Sequence, residues 1–192
     1  EEVSGTLSPI LSQEIDGASF AIERGLVLHK LLELLPGIDK SMRESTTEQY
    51  LAYKAGSWSD QQRTNVKRQA LSVLDNPEFA AAFANGSRAE ISIMGRLKFK
   101  DGERVISGKI DRIVVEENRV LLIDYKTNHA VPHDISEIPS LYVTQMALYR
   151  ALLKPLFDPK PVEVGLLFTS TATLFSLPGT MLDDALEALT DS

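Results

Sequence analysis

Val120-Leu121-Leu122-Ile123-Asp124-Tyr125-Lys126-Thr127 is the stretch whose reading decides the fold. Its first four residues are apolar at consecutive positions, which suits a strand covered on both faces, at the centre of a sheet flanked by helices. Asp124 and Lys126 follow two residues apart, so they project from one face of that strand, ~6.5 Å from each other. Outward from this strand, Glu117-Asn118 makes a tight turn back to a strand over 104–116. Lys100-Asp101-Gly102-Glu103 then carries an Asp-Gly hairpin signal leading back to a strand over 89–99. Downstream, the pattern predicts a helix over 140–157, a closing hairpin of 162–169 with 172–177, and an amphipathic helix from Leu182 to Leu189.

Upstream of the sheet the pattern is helical. Leu28, Leu32 and Leu35 recur at three and four residues across 18–35, until Pro36-Gly37 stops the run. A short helix is expected near Thr47–Lys54, ended by Gly56. Ser59-Asp60 N-caps another through about Leu74, and Asn76-Pro77 breaks it. Residues 77–84 read as one further short helix. Residues 1–17 are polar, carry Ser8-Pro9 and lack periodicity; they read as an arm or linker ahead of a single domain, 18–192. The predicted class is α/β: a mixed central sheet flanked by helices, with an N-terminal helical region.

With 192 residues, 43% of them hydrophobic, the chain can hold a core of its own. It contains no cysteine, which excludes disulfides, thiolate zinc sites, iron–sulfur clusters and cysteine nucleophiles from this segment. No apolar run approaches the ~20 residues of a membrane span and the start is no signal peptide, so the expected setting is cytoplasmic, with no membrane partner. The net charge of −7 weighs against unaided nucleic-acid binding, because phosphate neutralisation supplies most non-specific affinity.

The chemistry-bearing residues cluster on the second and third strands. Gly108-Lys109-Ile110-Asp111-Arg112 places a carboxylate mid-strand, and Asp124 with Lys126 ends the apolar run. Charge content alone is met by ion pairs, Asp124 with Lys126 or Arg112 and Asp111 with Lys109. Two carboxylates on adjacent strands with a lysine also suit a hard cation such as Mg²⁺, which takes oxygen ligands and could clamp a phosphate. His29 shares a helix face with Glu33 and sits beside the leucine stripe, as an ordinary boundary histidine or as a metal ligand. Gln145 and Tyr149, at i and i+4 with Tyr142 at i−3, border a buried helix stripe, as packing residues or as a substrate-side pair. Glu90 opens the first strand after Arg88 and is the weakest candidate.

Taken in order, Arg24-Gly25-x-x-x-His29-x-x-Leu32-Glu33, Gly108-x-Ile110-Asp111-Arg112, Asp124-Tyr125-Lys126-Thr127 and Gln145-x-x-x-Tyr149 resemble the RecB-type PD-(D/E)xK nucleases from about Arg24 to Leu153. Within that family the likeness is to the C-terminal nuclease domains of AddA-type helicase–nucleases, in their alphaproteobacterial form, which process DNA double-strand ends. The resemblance implies a restriction-endonuclease-like fold and an Mg²⁺-dependent, or Mn²⁺-dependent, deoxyribonuclease acting on single-stranded DNA. It implies His29, Asp111, Asp124 and the Tyr125 carbonyl as metal ligands, and Asp111, Asp124 and Lys126 as the catalytic set. Gln145 and Tyr149 would be the substrate-side pair and Glu90 an accessory acid. Two departures stand out: His129 replaces an expected basic residue after Asn128, and no Gly-x-x-x-x-Gly-Lys-[Ser/Thr] phosphate loop is present, so there is no such ATP site in this segment. The chain is therefore expected to be a piece of a longer polypeptide. Helicase domains of that parent and an AddB-type partner would grip the DNA, which removes the objection from its acidity. The alternatives are a nuclease-fold docking module that no longer cuts, and a free-standing RecB-like nuclease.

Overall fold

The computed structural model describes residues 9–84, 86–128 and 130–190. Residues 1–8 of the expected arm, and the departure at His129, lie outside the described residues. Helix α1 runs Pro9–Leu34. It begins well before the expected Ala18, so residues 9–17 are helical rather than an irregular arm. Proline is tolerated in the first turn, where its missing N–H has no intrahelical partner. The residues after it extend a helix already anchored downstream by the buried Leu28, Leu31 and Leu32. A 3₁₀ turn at Leu35–Gly37, with Pro36 inside it, ends this run.

Two more helices follow, α2 (Arg43–Lys54) and α3 (Asp60–Asp75). Helix α3 opens with a capping box: the Gln62 N–H donates to the Ser59 hydroxyl at 3.2 Å, and the Ser59 N–H donates to the Gln62 side chain at 2.8 Å. Residues Pro77–Phe83 are a 3₁₀ run, with the Asn76 side chain accepting from the Glu78 N–H.

The sheet has five strands: β1 (Arg88–Phe99), β2 (Gly102–Val115), β3 (Val120–Lys126), β4 (Val162–Phe168) and β5 (Thr173–Leu177). Their spatial order is β1-β2-β3-β4-β5. Strands β1, β2 and β3 form an antiparallel meander; Gly102, at φ 128°, supplies the left-handed turn residue that the Asp-Gly signal promised. Helix α4 (Ser140–Phe157) carries the chain over the sheet, so β4 pairs with β3 in parallel. Strand β5 closes antiparallel to β4, and α5 (Gly179–Glu187) packs with α4. The sheet is therefore mixed, with helices on both faces, in the manner of restriction endonucleases.

Strand β3 is the hinge of this arrangement. Leu121, Ile123 and Tyr125 point into the layer of α1, α2 and α3, against residues such as Leu28, Leu31 and Leu32. Val120 and Leu122 point the other way, against Met146 and Ala147 of α4. Alternation continues past the apolar run, so Asp124 and Lys126 face α4. Among the described residues no helix is long and apolar enough to cross a membrane.

Leu122 is completely buried between β3 and α4. Leu122→Ala is expected to destabilise the domain by about 2–5 kcal/mol. A urea titration should show a lower midpoint with an unchanged slope.

Candidate active site

The site grows from a break in the ladder around Asp111. Strand β2 pairs with β3 only from Val115↔Val120 to Arg112↔Ile123. On its other side, β2 pairs with β1 at Ala89↔Arg112 and again at Ile91↔Ile110, with the intervening Glu90 and Asp111 left out. Glu90 has φ 56°, left-handed backbone that non-glycine residues seldom adopt and that tends to gather at functional sites. Where the ladder to β3 stops, the Asp111 side chain takes over: its Oδ2 accepts the Tyr125 N–H at 2.6 Å. A buried backbone donor is satisfied, and a carboxylate is fixed in the gap between two strands.

Helix α1 is stapled over this gap. The Arg24 guanidinium donates to the Thr127 carbonyl, and Gly25 permits the approach: a Cβ there would stand 3.0 Å from Thr127 Oγ1. Burial lowers the Arg24 pKa from its ordinary value. Buried Arg112 donates from Nε to the Tyr125 hydroxyl at 3.1 Å and from Nη2 to the Leu32 carbonyl at 2.5 Å. It donates from Nη1 to Ser87 Oγ at 3.0 Å and stacks over the Phe83 ring at 4.9 Å. Burial pushes the Tyr125 phenol up to about 12 against the opposing charge of Arg112. Arg112 thus does not pair with Asp124; it ties helix, strand and 3₁₀ run together.

These contacts deliver His29 to the sheet. His29 Nδ1 lies 3.1 Å from Asp111 Oδ1, and its ring meets Tyr125 edge-on with centroids 5.5 Å apart. Ligand atoms of His29, Glu90 and Asp111 all lie within 4.8 Å of one another. Burial opposes charge on His29, but the Asp111 hydrogen bond and the carboxylates of Asp111, Asp124 and Glu90 outweigh it and raise its pKa. The cluster lines a cleft of about 770 Å³ together with Arg24, Lys109 and Thr127. Lys109, expected to pair with Asp111, instead pairs with Glu90 at 2.9 Å.

Asp124, Lys126, Gln145 and Tyr149 form a second, adjoining group on the α4 side. Lys126 Nζ forms an ion pair with Asp124 Oδ2 at 2.7 Å, and among the described residues no other donor reaches this buried oxygen. Burial raises the Asp124 pKa, the Asp111 carboxylate reinforcing the effect and Lys126 opposing it. Lys126 also donates to Gln145 Oε1 at 3.2 Å, and Gln145 Nε2 donates to the Tyr149 hydroxyl at 3.3 Å. Tyr149 lies flat on β2 because residue 108 is glycine; a Cβ there would stand 2.0 Å from its hydroxyl.

The donor set fits a hard divalent cation. One imidazole and two carboxylates converge, and a third carboxylate, on Asp124, holds an oxygen with unused acceptor capacity. The cluster adds Glu90 to the expected His29 and Asp111. Glu90, read as accessory, stands within the cluster, whereas Asp124 stands beside it, drawn to Lys126 on its own strand face. The left-handed backbone at Glu90 has no signature in the local sequence. Its position opposite Asp111 does follow from counting the hairpin back from Asp101-Gly102.

Residues 9–187 match the PD-(D/E)XK nuclease superfamily. The chain belongs to that superfamily. The chain is also 23% identical over 146 residues to an ATP-dependent helicase/nuclease subunit of Anoxybacillus flavithermus (strain DSM 21510 / WK1). That alignment covers 73% of the chain but only 12% of the relative's length. Two solved structures are similar. One, "Crystal structure of SSO0001", has a TM-score of 0.35 and 15% identity, covering 83% of this chain and 72% of that one. The other, protein VC1899 from Vibrio cholerae, has a TM-score of 0.32 and 16% identity, covering 97% of this chain and 53% of that one. In this PD-(D/E)XK domain, the motif residues of α1, β2, β3 and α4 meet at one end of the sheet.

Arg112 was legible only as a motif residue; its work as a staple needed the tertiary contacts. Arg112→Met leaves the Leu32 carbonyl and the Tyr125 hydroxyl short of a donor. It should cost about 2–4 kcal/mol by chemical denaturation. Gly108→Ala should displace Tyr149, visible as a changed near-ultraviolet circular dichroism signal with the far-ultraviolet spectrum retained.

Proposed function

We propose that this domain is a metal-dependent deoxyribonuclease that cuts single-stranded DNA delivered by a helicase motor, as the nuclease part of an AddA-type helicase–nuclease. The observation that carries the reading is the convergence of His29, Glu90 and Asp111 in one cleft, beside the Asp124–Lys126 strand pair, within a PD-(D/E)XK domain. The 23% identity to the Anoxybacillus helicase/nuclease protein supports the finer assignment. By this reading the domain works in the cytoplasm in double-strand break repair and recombination. Helicase domains of the same parent chain and an AddB-type partner would be its neighbours.

Mg²⁺ would be held by His29, Asp111, Asp124 and the Tyr125 carbonyl, with Glu90 completing the set; Mn²⁺ suits the same donors. When bound, such a cation activates water and offsets charge on a phosphate. The protein's own share is positional. Asp111 is locked by the Tyr125 N–H and by His29, so its carboxylate needs no reorganisation. Lys126 presents a fixed positive charge beside Asp124, suited to a non-bridging phosphate oxygen or to orienting the attacking water. Gln145 and Tyr149 line the same side and would contact the strand's backbone. The acidic chain has little affinity of its own for phosphates, so the motor and partner would supply the grip.

The test is cleavage of labelled single-stranded DNA in Mg²⁺, Mn²⁺ or EDTA. Wild type should cut weakly alone, and not at all in EDTA. Asp124→Ala and Lys126→Ala should each lose at least about 100-fold in rate. A full helicase complex that cuts equally well with either substitution would overturn the reading in favour of a non-cutting docking module.

A further inference from the structure

Lys126 is held by more than its carboxylate. Three groups surround the ammonium: Asp124 Oδ2 at 2.7 Å, the Gln145 side-chain carbonyl at 3.2 Å, and the face of Tyr142, whose ring centroid lies 3.9 Å away. Only 11% of the Lys126 side chain is exposed. The distance to Tyr142 is close for a cation over a ring, an attraction that extends to ~6 Å and strengthens as water is removed. Tyr142 and Gln145 lie one turn apart on α4, and Gln145 is itself held by Tyr149 over Gly108. The α4 side of the cage is therefore built without any help from Asp124.

This matters because Asp124 has two claims on it. A carboxylate that turns toward a cation leaves its lysine partner behind. A lysine carries its charge on a long flexible stem, and with no anion in a half-buried setting it would swing out to water. The negative face of an aromatic ring and a carbonyl dipole hold an ammonium without neutralising it, so the charge stays available to the site.

We propose that Tyr142 is the positioning residue for Lys126: its ring, with the Gln145 carbonyl, keeps the ammonium in the site whether or not Asp124 is paired with it. The consequence for rate rests on the nuclease reading above; the geometry does not.

The test has two arms, both on the whole chain. In the first, metal-free protein labelled at the lysine ε-methylene carbons is examined by NMR, with Lys126 assigned through Lys126→Arg. The Tyr142 ring current should shift the Lys126 ε-methylene protons upfield of the other lysines. The shift should persist in Asp124→Asn and Tyr142→Phe and vanish in Tyr142→Leu. In the second arm, Tyr142→Leu should lower kcat on a single-stranded oligonucleotide about tenfold, with KM and the Mn²⁺ dissociation constant within about twofold of wild type. Tyr142→Phe should restore kcat.

No upfield shift in wild type, its loss in Asp124→Asn, or wild-type kcat in Tyr142→Leu would each overturn the proposal. If the shift behaves as expected in every variant and the wild type cuts no DNA with any metal, the positioning by Tyr142 stands and the nuclease reading fails.

Discussion

The site depends on one hydrogen bond, from the Tyr125 N–H to Asp111 Oδ2 at 2.6 Å. It stands where a backbone carbonyl of the neighbouring strand would stand in a regular ladder, and it lets β2 and β3 part without stranding a buried donor. Beside the parted strands His29 reaches the sheet, and Glu90, out of register on β1, shares the same cleft. Were β2 and β3 zipped to their ends, Asp111 would be one more side chain on a strand surface. The carboxylate is thus structural and chemical at once, which is why it is buried, bonded on both oxygens and still within a few ångströms of two other ligand-type groups.

A gap of this kind concentrates negative charge, and the rest of the fold balances it. Arg112 sits beneath it, buried, giving its donors to Tyr125, Leu32 and Ser87 rather than to an acid. Lys109 meets Glu90 at the mouth, and Lys126 meets Asp124 at the α4 side. His29 carries a raised pKa because three carboxylates outweigh its own burial. Cationic side chains thus surround an acidic centre without filling it. That pattern suits a site able to hold a divalent cation.

The two faces of the sheet divide the labour. The layer of α1, α2 and α3 supplies His29 and Arg24; α4 supplies the groups that hold the lysine. Strand β3, apolar on both faces for four residues and charged at its end, is where the two meet. Its parallel pairing with β4 is a consequence of placing α4 between them, since a crossover helix returns the chain in the same direction.

Much of this was legible in the residues. The four-residue apolar run of β3 announced a doubly covered strand, the Asp-Gly turn announced the hairpin, and Ser59-Asp60 announced the start of α3. Each of these is a local rule: side-chain period, left-handed turn backbone, or an N-terminal cap. That Asp124 and Lys126 share a face followed from the strand period alone. The order of the motifs named the superfamily to which the chain belongs. The extension of α1 back to Pro9 was not legible, because Ile10, Leu11 and Ile15 among polar neighbours are too few to mark the stripe of a helix anchored farther along. The meeting of His29 with Asp111 was legible only through the order of the motifs, since no local period encodes a side chain's neighbours across 82 residues; that Glu90 belongs to the same cluster was not. Sequence determined which chemical groups the protein owns and which strand face presents them. Tertiary structure alone decided that Glu90 joins His29 and Asp111 in one cleft. The physical reason is that a broken ladder and one left-handed residue, and no run of residue types, set those distances.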